Sequence, residues 1–352
     1  MKSEVKFGIA SAIIGIVIVL SFTSNSFMTA SQSVTETKND ILRIGYFPNI
    51  NHAQAVIGVG NGDFQNMLGD VKIEPQIFNA GPAAIEALFA NRVDVAYVGP
   101  NPAINGYLKS DGQGLKIIAG VSSGGAVFVI RNDSEITTVH DFAGKKFASP
   151  QLGNTQDVAL RSYLLKNGYK TSENGGNVTI LPATTADIVT MMSKKDIDGA
   201  WVPEPWGTIL TKQSGGHVFL DERDLWPNGK FATALIVVRT DYLQSHPDVI
   251  QKLLEAHVKE TIWINNNKDE SIQDFNAQLQ KLTGKTIPSD VISEAFSRMD
   301  ITYDPVKSSV SKSADDAFNL GFLGNKKPDL SNIFDLSMLN KVLQEQNLPV
   351  IP

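Results

Sequence analysis

From Ile41 onward the chain alternates short apolar runs with stretches of helical periodicity. That alternation confines it to a mainly parallel sheet with helices on its faces. Ile41–Phe47, Val71–Phe78, Val93–Val98 and Leu115–Val121 read as strands, with helical patterns at His52–Val59, Ala83–Ala90 and Ala103–Leu108 between them. A second such unit follows Ala126–Ile130, with strands at Lys145–Ala148, Val178–Leu181 and Gly199–Val202 and helices at Thr155–Lys166 and Ala186–Lys194. Phe231–Arg239 is a long apolar strand, and from Tyr242 the pattern is mostly helical, with Gly and Pro breaks near 284–288, 304–305 and 324–328. At roughly 100–200 residues per domain, a chain of 352 residues predicts two domains.

The helix starts carry the functional signal. Gly81-Pro82, Asn101-Pro102 and Glu204-Pro205 place Pro where a helix opens, a position that tolerates its missing N–H. Asn101 has the side chain of an N-cap, Asn51 can cap the first helix, and Gly153-Asn154-Thr155 opens another. In an open α/β sheet these starts share the rim at the carboxyl ends of the strands, where ligands bind. Free N–H groups and a partial positive charge there suit an anionic group.

Charge sharpens that expectation. Lys and Arg number 31 against 37 Asp and Glu, a net −6. The global field therefore repels anions, so any anion must be caught by local geometry; a general nucleic-acid binder would want a basic face instead. Cysteine is absent, which excludes disulfides, thiolate nucleophiles, Cys-ligated metals and a lipidated cysteine anchor. The five histidines show no metal-ligating spacing, and no phosphate-binding loop or nucleophile elbow is present, so neither cofactor nor metal is expected. Gly58-x-Gly60-x-Gly62 follows a helix pattern and is no dinucleotide fingerprint. Trp201 and Trp206 bracket Pro203-Glu204-Pro205. Trp206 can pack on the apolar part of a ligand and Glu204 can hold a cation or donor; equally, Trp201 can be core and Glu204 a simple cap. Asn132-Asp133-Ser134 and Asn177-Val178-Thr179 fit the glycosylation sequon.

The first forty residues are a separate object. Lys2 and Lys6 precede an uncharged run of 16 residues, Phe7–Phe22, between the length of a signal-peptide core and a span of about 20 residues. Residues 1–22 are therefore a signal peptide or an N-terminal membrane anchor, and 23–40 a Ser/Thr-rich linker. Either way the rest of the chain is expected outside the cytoplasm.

Several short motifs in order resemble one family. They are Arg43-Ile-Gly-Tyr-Phe-Pro, Phe78-Asn-Ala-Gly-Pro with Glu86-Ala-Leu, and Val93-Asp-Val-Ala-Tyr-Val-Gly-Pro. Asp141-Phe-Ala-Gly-Lys-Lys, Asp198-Gly-Ala-Trp-Val-Pro-Glu-Pro-Trp, Leu320-Gly-Phe-Leu and Pro328-Asp-Leu-Ser complete the set. Over about residues 41–345 the chain is similar to the substrate-binding proteins of ABC importers for nitrate, sulfonates and taurine. The resemblance implies a type II binding-protein fold, in which two α/β lobes joined by two crossing strands trap a ligand by hinge closure. It implies crossings at Ala126–Arg131 and Ala232–Arg239, an outer lobe of 41–130 plus 240–352, and a middle lobe of 131–231.

Carried onto this sequence, the family's cleft loops fall on Asn49, Asn51, His52, Gly81, Pro82, Gly99, Asn101, Ser123, Gly124, Gln151, Asn154, Thr155, Glu204 and Trp206. The resemblance implies capture of a small solute by hinge closure and its delivery to a permease and ATPase, without catalysis. The helix-start donors and the scarcity of Lys and Arg in these loops point to a small organosulfonate or other oxyanion, an organosulfonate ahead of nitrate. The alternative is an aminated or aromatic ligand, such as taurine or a thiamine-pyrimidine precursor, held by Glu204 and stacked on Trp206. A thiamine-pyrimidine synthase branch of the same fold depends on a cysteine motif that this chain lacks. A stand-alone surface sensor is a further reading.

Overall fold

The computed structural model describes residues 40–352; the N-terminal signal or anchor and nearly all of the linker lie outside these residues. Two sheets organise the chain. The first contains β1 (Ile41–Tyr46), β2 (Lys72–Ile77), β3 (Val95–Val98) and β4 (Leu115–Gly124). The second contains β5 (Ala126–Arg131), β6 (Lys146–Pro150), β7 (Thr179–Ala183), β8 (Gly199–Pro203) and β9 (Gly216–Asp221). The chain then returns to the first sheet with β10 (Ala232–Arg239) and β11 (Met299–Ile301). The orders are β11-β4-β10-β3-β1-β2 and β7-β6-β8-β5-β9. Each sheet thus repeats one plan: a parallel trio with its first strand central, then an antiparallel strand supplied by the chain as it enters from the other half. This is the two-lobed α/β architecture expected of a type II binding protein.

Alternation along the central strands explains why helices cover both faces. In β3, Val95 and Tyr97 enter one core cluster while Ala96 and Val98 enter another. In β5, Phe128 and Ile130 face one core and Val127 and Val129 the other. With no polar side left, each strand must be sandwiched.

The same polar device fixes the base of each sheet. Buried Asp94, just before β3, accepts the Arg43 backbone N–H at 3.0 Å and the Arg43 and Arg239 guanidinium groups at 2.6 and 3.1 Å. Asp198, just before β8, accepts the Lys146 backbone N–H at 2.8 Å and the Arg131 guanidinium at 3.3 Å. In each half the carboxylate aligns the first strand with the third.

The crossings differ from the expectation. β5 lies wholly in the second sheet and β10 wholly in the first, so residues 126–130 belong with the five-stranded half. The chain crosses instead at Gly124-Gly125 and again between Asp221 and Ala232. Gly124 and Gly125 have φ of +78° and +73°, which side chains rarely adopt, and a Cβ on Gly124 would stand 2.9 Å from the Arg298 carbonyl. This pair of glycines lets the chain leave one sheet and enter the other within two residues. Two short strands were not anticipated: β9 is a half-buried sheet edge and β11 has three residues, so neither shows a long apolar alternation.

Candidate functional site

Six strand ends run into helix starts around one cleft. From the six-stranded half come Phe47–His52 after β1, Phe78–Gly81 after β2 and Gly99-Pro100 after β3. From the five-stranded half come Gln151–Thr155 after β6, Thr184-Thr185 after β7 and Glu204–Trp206 after β8. They enclose an inner cavity of about 20 Å³, walled by Phe47, Asn49, Asn51, His52, Asn79 and Gly99 from one half and by Pro150, Asn154, Thr155, Gln156, Thr185 and Pro203 from the other, with Thr233 at the back. An outer cleft of about 550 Å³ continues from Phe47, Asn49 and Asn79 past Phe78, Val189, Trp206 and Ile209, and its far wall is Leu279, Lys285, Ile287 and Pro288.

The inner wall has no Lys, Arg, Asp or Glu. Its one titratable side chain is His52, whose pKa burial pushes down to about 3, so the ring is neutral at physiological pH. It stacks on Phe47 with centroids 4.4 Å apart. Three buried polar atoms of this wall have no protein partner: Asn51 Oδ1, His52 Nδ1 and Thr155 Oγ1. A buried polar group without a partner is costly, and each of these side chains can turn a donor toward a guest oxygen.

Neighbouring residues hold these donors in place. Buried Asp157 accepts the Ser149 hydroxyl at 2.7 Å and the Gly153 N–H at 2.9 Å, which pins the loop before Thr155, and it pairs with Arg161 at 3.0 Å. The Asn51 carbonyl accepts the Ser122 hydroxyl at 3.0 Å. Across the cleft, Trp206 Nε1 donates to Asn49 Oδ1 at 2.8 Å.

Of the residues singled out in the sequence, the inner cavity gathers Asn49, Asn51, His52, Gly99, Asn154 and Thr155, and Trp206 lines the outer cleft. The others do not line the inner cavity. Gly81 borders it, since a Cβ there would stand 2.3 Å from the Pro102 ring and 3.3 Å from Asn154 Oδ1 of the other half, and Pro82 is the next residue of its helix. Asn101 does not cap its helix: the helix begins at Pro100, and the Asn101 amide donates to the Ser313 carbonyl at 3.2 Å beside a separate cavity of about 140 Å³. Asn51 caps nothing either, lying inside the short turn Ile50–His52. Ser123 and Gly124 are engaged by the returning strand: the Ser123 hydroxyl accepts the Phe231 N–H and the Gly124 carbonyl accepts the Thr233 hydroxyl. Gln151 is exposed on its loop.

Glu204 departs most from the expectation of a ligand-holding carboxylate. It is fully buried, and its oxygens accept the Thr208 N–H at 2.9 Å and the Arg298 guanidinium at 2.8 Å. Burial raises its pKa, opposed by the Arg298 and Thr208 hydrogen bonds.

Asn79, Gln156, Thr185 and Thr233 are cavity residues that sequence reasoning missed. A signal existed for Thr185. Thr184 caps the helix Thr185–Ser193, accepting the Asp187 N–H at 3.2 Å, and Thr-x-x-Asp ahead of an apolar run marks such a start.

Among the described residues no group of three or more potential metal ligands occurs, and no helix is long and apolar enough to cross a membrane.

The NMT1-like family model matches residues 35–278. A protein of Bacillus subtilis (strain 168), provisionally named as binding aliphatic sulfonates, is 24% identical over 282 residues, 79% of this chain and 80% of its own. Two solved structures share the fold. The periplasmic nitrate-binding protein of Synechocystis PCC 6803 aligns with a TM-score of 0.74 at 17% identity, over 89% of this chain and 90% of its own. A ligand-binding component of an ABC-type import system from Staphylococcus aureus aligns with a TM-score of 0.69 at 18% identity, over 86% and 99%.

Proposed function

The chain belongs to the NMT1-like family, and from that premise we propose that it is an extracytoplasmic solute-binding protein that captures an organosulfonate for an ABC importer. One observation carries the ligand class: a cavity wall of neutral donors without any carboxylate, opening into a cleft lined by Phe47, Phe78 and Trp206. A sulfonate head offers oxygens to the Asn51, His52 and Thr155 side chains and to the helix starts at Gly99 and Asn154. Hydrogen bonds to a charged acceptor are about twice as strong as neutral ones, so several donors replace a cation. The outer cleft has a mixed lining, with Asn79, Thr190, Gln213 and Lys285 among its polar residues. Its volume lies within the usual 300–1,000 Å³ range of small-molecule sites, and its apolar part, Phe47, Phe78, Val189, Trp206 and Ile209, suits a carbon tail that nitrate and bicarbonate lack.

The aminated alternative loses its main support. The Glu204 carboxylate meant to hold the amine is spent on Arg298 and Thr208. Names among the relatives support a binding role, not a catalytic one, and support a permease and an ATPase as partners. Export by the N-terminal segment accords with the periplasmic relative.

Titration calorimetry of the purified protein against butanesulfonate, nitrate, bicarbonate and an alkylamine tests the reading. Butanesulfonate is expected to bind tightest. Heat from the amine alone, or from nitrate alone, would overturn the ligand class.

A further inference from the structure

Arg298 lies just before β11, outside both the inner cavity and the outer cleft. Its backbone and side chain nevertheless meet the two elements on which the cleft geometry depends. The Arg298 carbonyl accepts the Gly125 N–H at 2.9 Å, at the first crossing, and the Gly125 carbonyl accepts the Glu204 N–H at 2.9 Å. The Glu204 carboxylate closes the ring by accepting the Arg298 guanidinium at 2.8 Å. The same guanidinium donates to the Thr208 hydroxyl at 2.9 Å and to Glu294 at 2.6 Å. Glu204 lies two residues before the helix Trp206–Gln213 and Thr208 in its first turn, and Trp206 at its start reaches across to Asn49. A second tie, Lys212 to Glu294 at 2.9 Å, joins the far end of that helix to the helix Ser289–Ser297.

We propose that Arg298 is a positioning residue for ligand capture: it clamps the Gly125 crossing to the Trp206 helix and so sets the angle at which the two halves face each other. The inference rests on reading the cleft as the ligand site. Three features favour a positioning role over plain stabilisation. The clamp joins residues of both halves, it sits at a crossing made of two left-handed glycines, and its partner Glu204 is fully buried, which leaves the pair one geometry. A buried ion pair is weak evidence for stability; fixing one arrangement is its better-attested use.

The test uses the full chain, whose lack of cysteine allows clean labelling at Lys109→Cys in one half and Lys194→Cys in the other, both exposed sites. Arg298→Gln alone leaves a buried carboxylate unpaired and can prevent folding, so the deciding variant is Glu204→Gln with Arg298→Gln, which keeps shape and the Thr208 bond. Without any ligand, the distance distribution between the labels is expected to broaden in the double variant. With butanesulfonate as probe, its dissociation rate is expected to rise at least tenfold while its association rate changes less than threefold. Arg298→Lys, which keeps a cation for Glu204, should restore most of the parent distribution. A double variant that melts lower yet keeps the parent distribution makes Arg298 merely structural and overturns the proposal, as does a Lys variant as broad as the double one. Failure of butanesulfonate to bind at all strikes the proposed function, while the label distances still decide the clamp.

Discussion

Gly99→Ala is the sharpest perturbation of the cleft. Gly99 comes from the six-stranded half and Thr155 from the five-stranded half. A Cβ on Gly99 would stand 2.2 Å from Thr155 Oγ1 and 3.1 Å from Thr155 Cβ, whereas ordinary contact begins at 3.4 Å. The shortfall to the hydroxyl is about 1.2 Å. Rotating the threonine moves the hydroxyl away but not its Cβ, which stays 3.1 Å from the new methyl, about 0.3 Å inside ordinary contact, and the branched side chain then turns its methyl or hydrogen toward the alanine. The Gly99 backbone, at φ −72° and ψ 164°, accepts alanine without strain, so the cost falls on the meeting of the halves and not on the local turn. Overpacking of this kind costs typically 1–3 kcal/mol, which is paid by the closed arrangement. At 1.4 kcal/mol per tenfold, butanesulfonate affinity should fall about 5- to 150-fold. Titration calorimetry measures it, and the melting temperature without ligand should change little if the halves simply stand apart. The companion Thr155→Gly, made in the Gly99→Ala background, frees the space and should recover part of the closure, less the lost hydroxyl. Parent-like affinity in Gly99→Ala would refute the claim that ligand binding needs this inter-half contact.

His52 gives a prediction in pH. Its folded pKa of about 3 lies below the ordinary 6.5, so the unfolded chain takes up the proton first. Its contribution is complete above about pH 6.5 and is lost as pH falls toward 3, amounting to about 2 kcal/mol by pH 5. His52→Gln should therefore soften the drop in stability between pH 7 and 5 by a few degrees of melting temperature, and an unchanged slope counts against a buried neutral ring. Trp206→Phe removes the 2.8 Å bond to Asn49. At about 1 kcal/mol for a hydrogen bond, butanesulfonate should bind about fivefold more weakly, as read by calorimetry. Taurine should bind no tighter than ethanesulfonate, because no free carboxylate lines the cavity for its amine; a tenfold preference for taurine would contradict that wall.

The sequence showed where the strands end but not which polar groups remain available there. Strand–helix alternation and capping residues point to Asn51, Asn154 and Thr155 at helix starts, because those signals are local, and the family resemblance adds Asn49, His52 and Gly99. Whether a polar side chain on that rim stays free depends on partners far along the chain. Glu204 is satisfied by Arg298, 94 residues away, and Asn101 by Ser313, 212 residues away. Neither spacing leaves a periodic trace. Several residues of the family motifs are structural. Asp141 caps a turn, accepting the Thr137 and Thr138 N–H groups at 3.0 and 2.8 Å, and those hydrogen bonds hold its carboxyl down at about 2. Phe142 is core, and Gly144 supplies a φ of +76°. Asp94 and Asp198 align strands. The motifs thus serve two purposes: Asp94, Asp198 and Phe142 build the halves, while Phe47, Phe78, Asn79, Gly99 and Trp206 from the same motifs line the cleft beside the less patterned Asn51, His52 and Thr155. The inner wall between the halves carries no Lys, Arg, Asp or Glu, because buried charges are paired away from it, within one half as Asp94 with Arg43 or between the halves as Glu204 with Arg298.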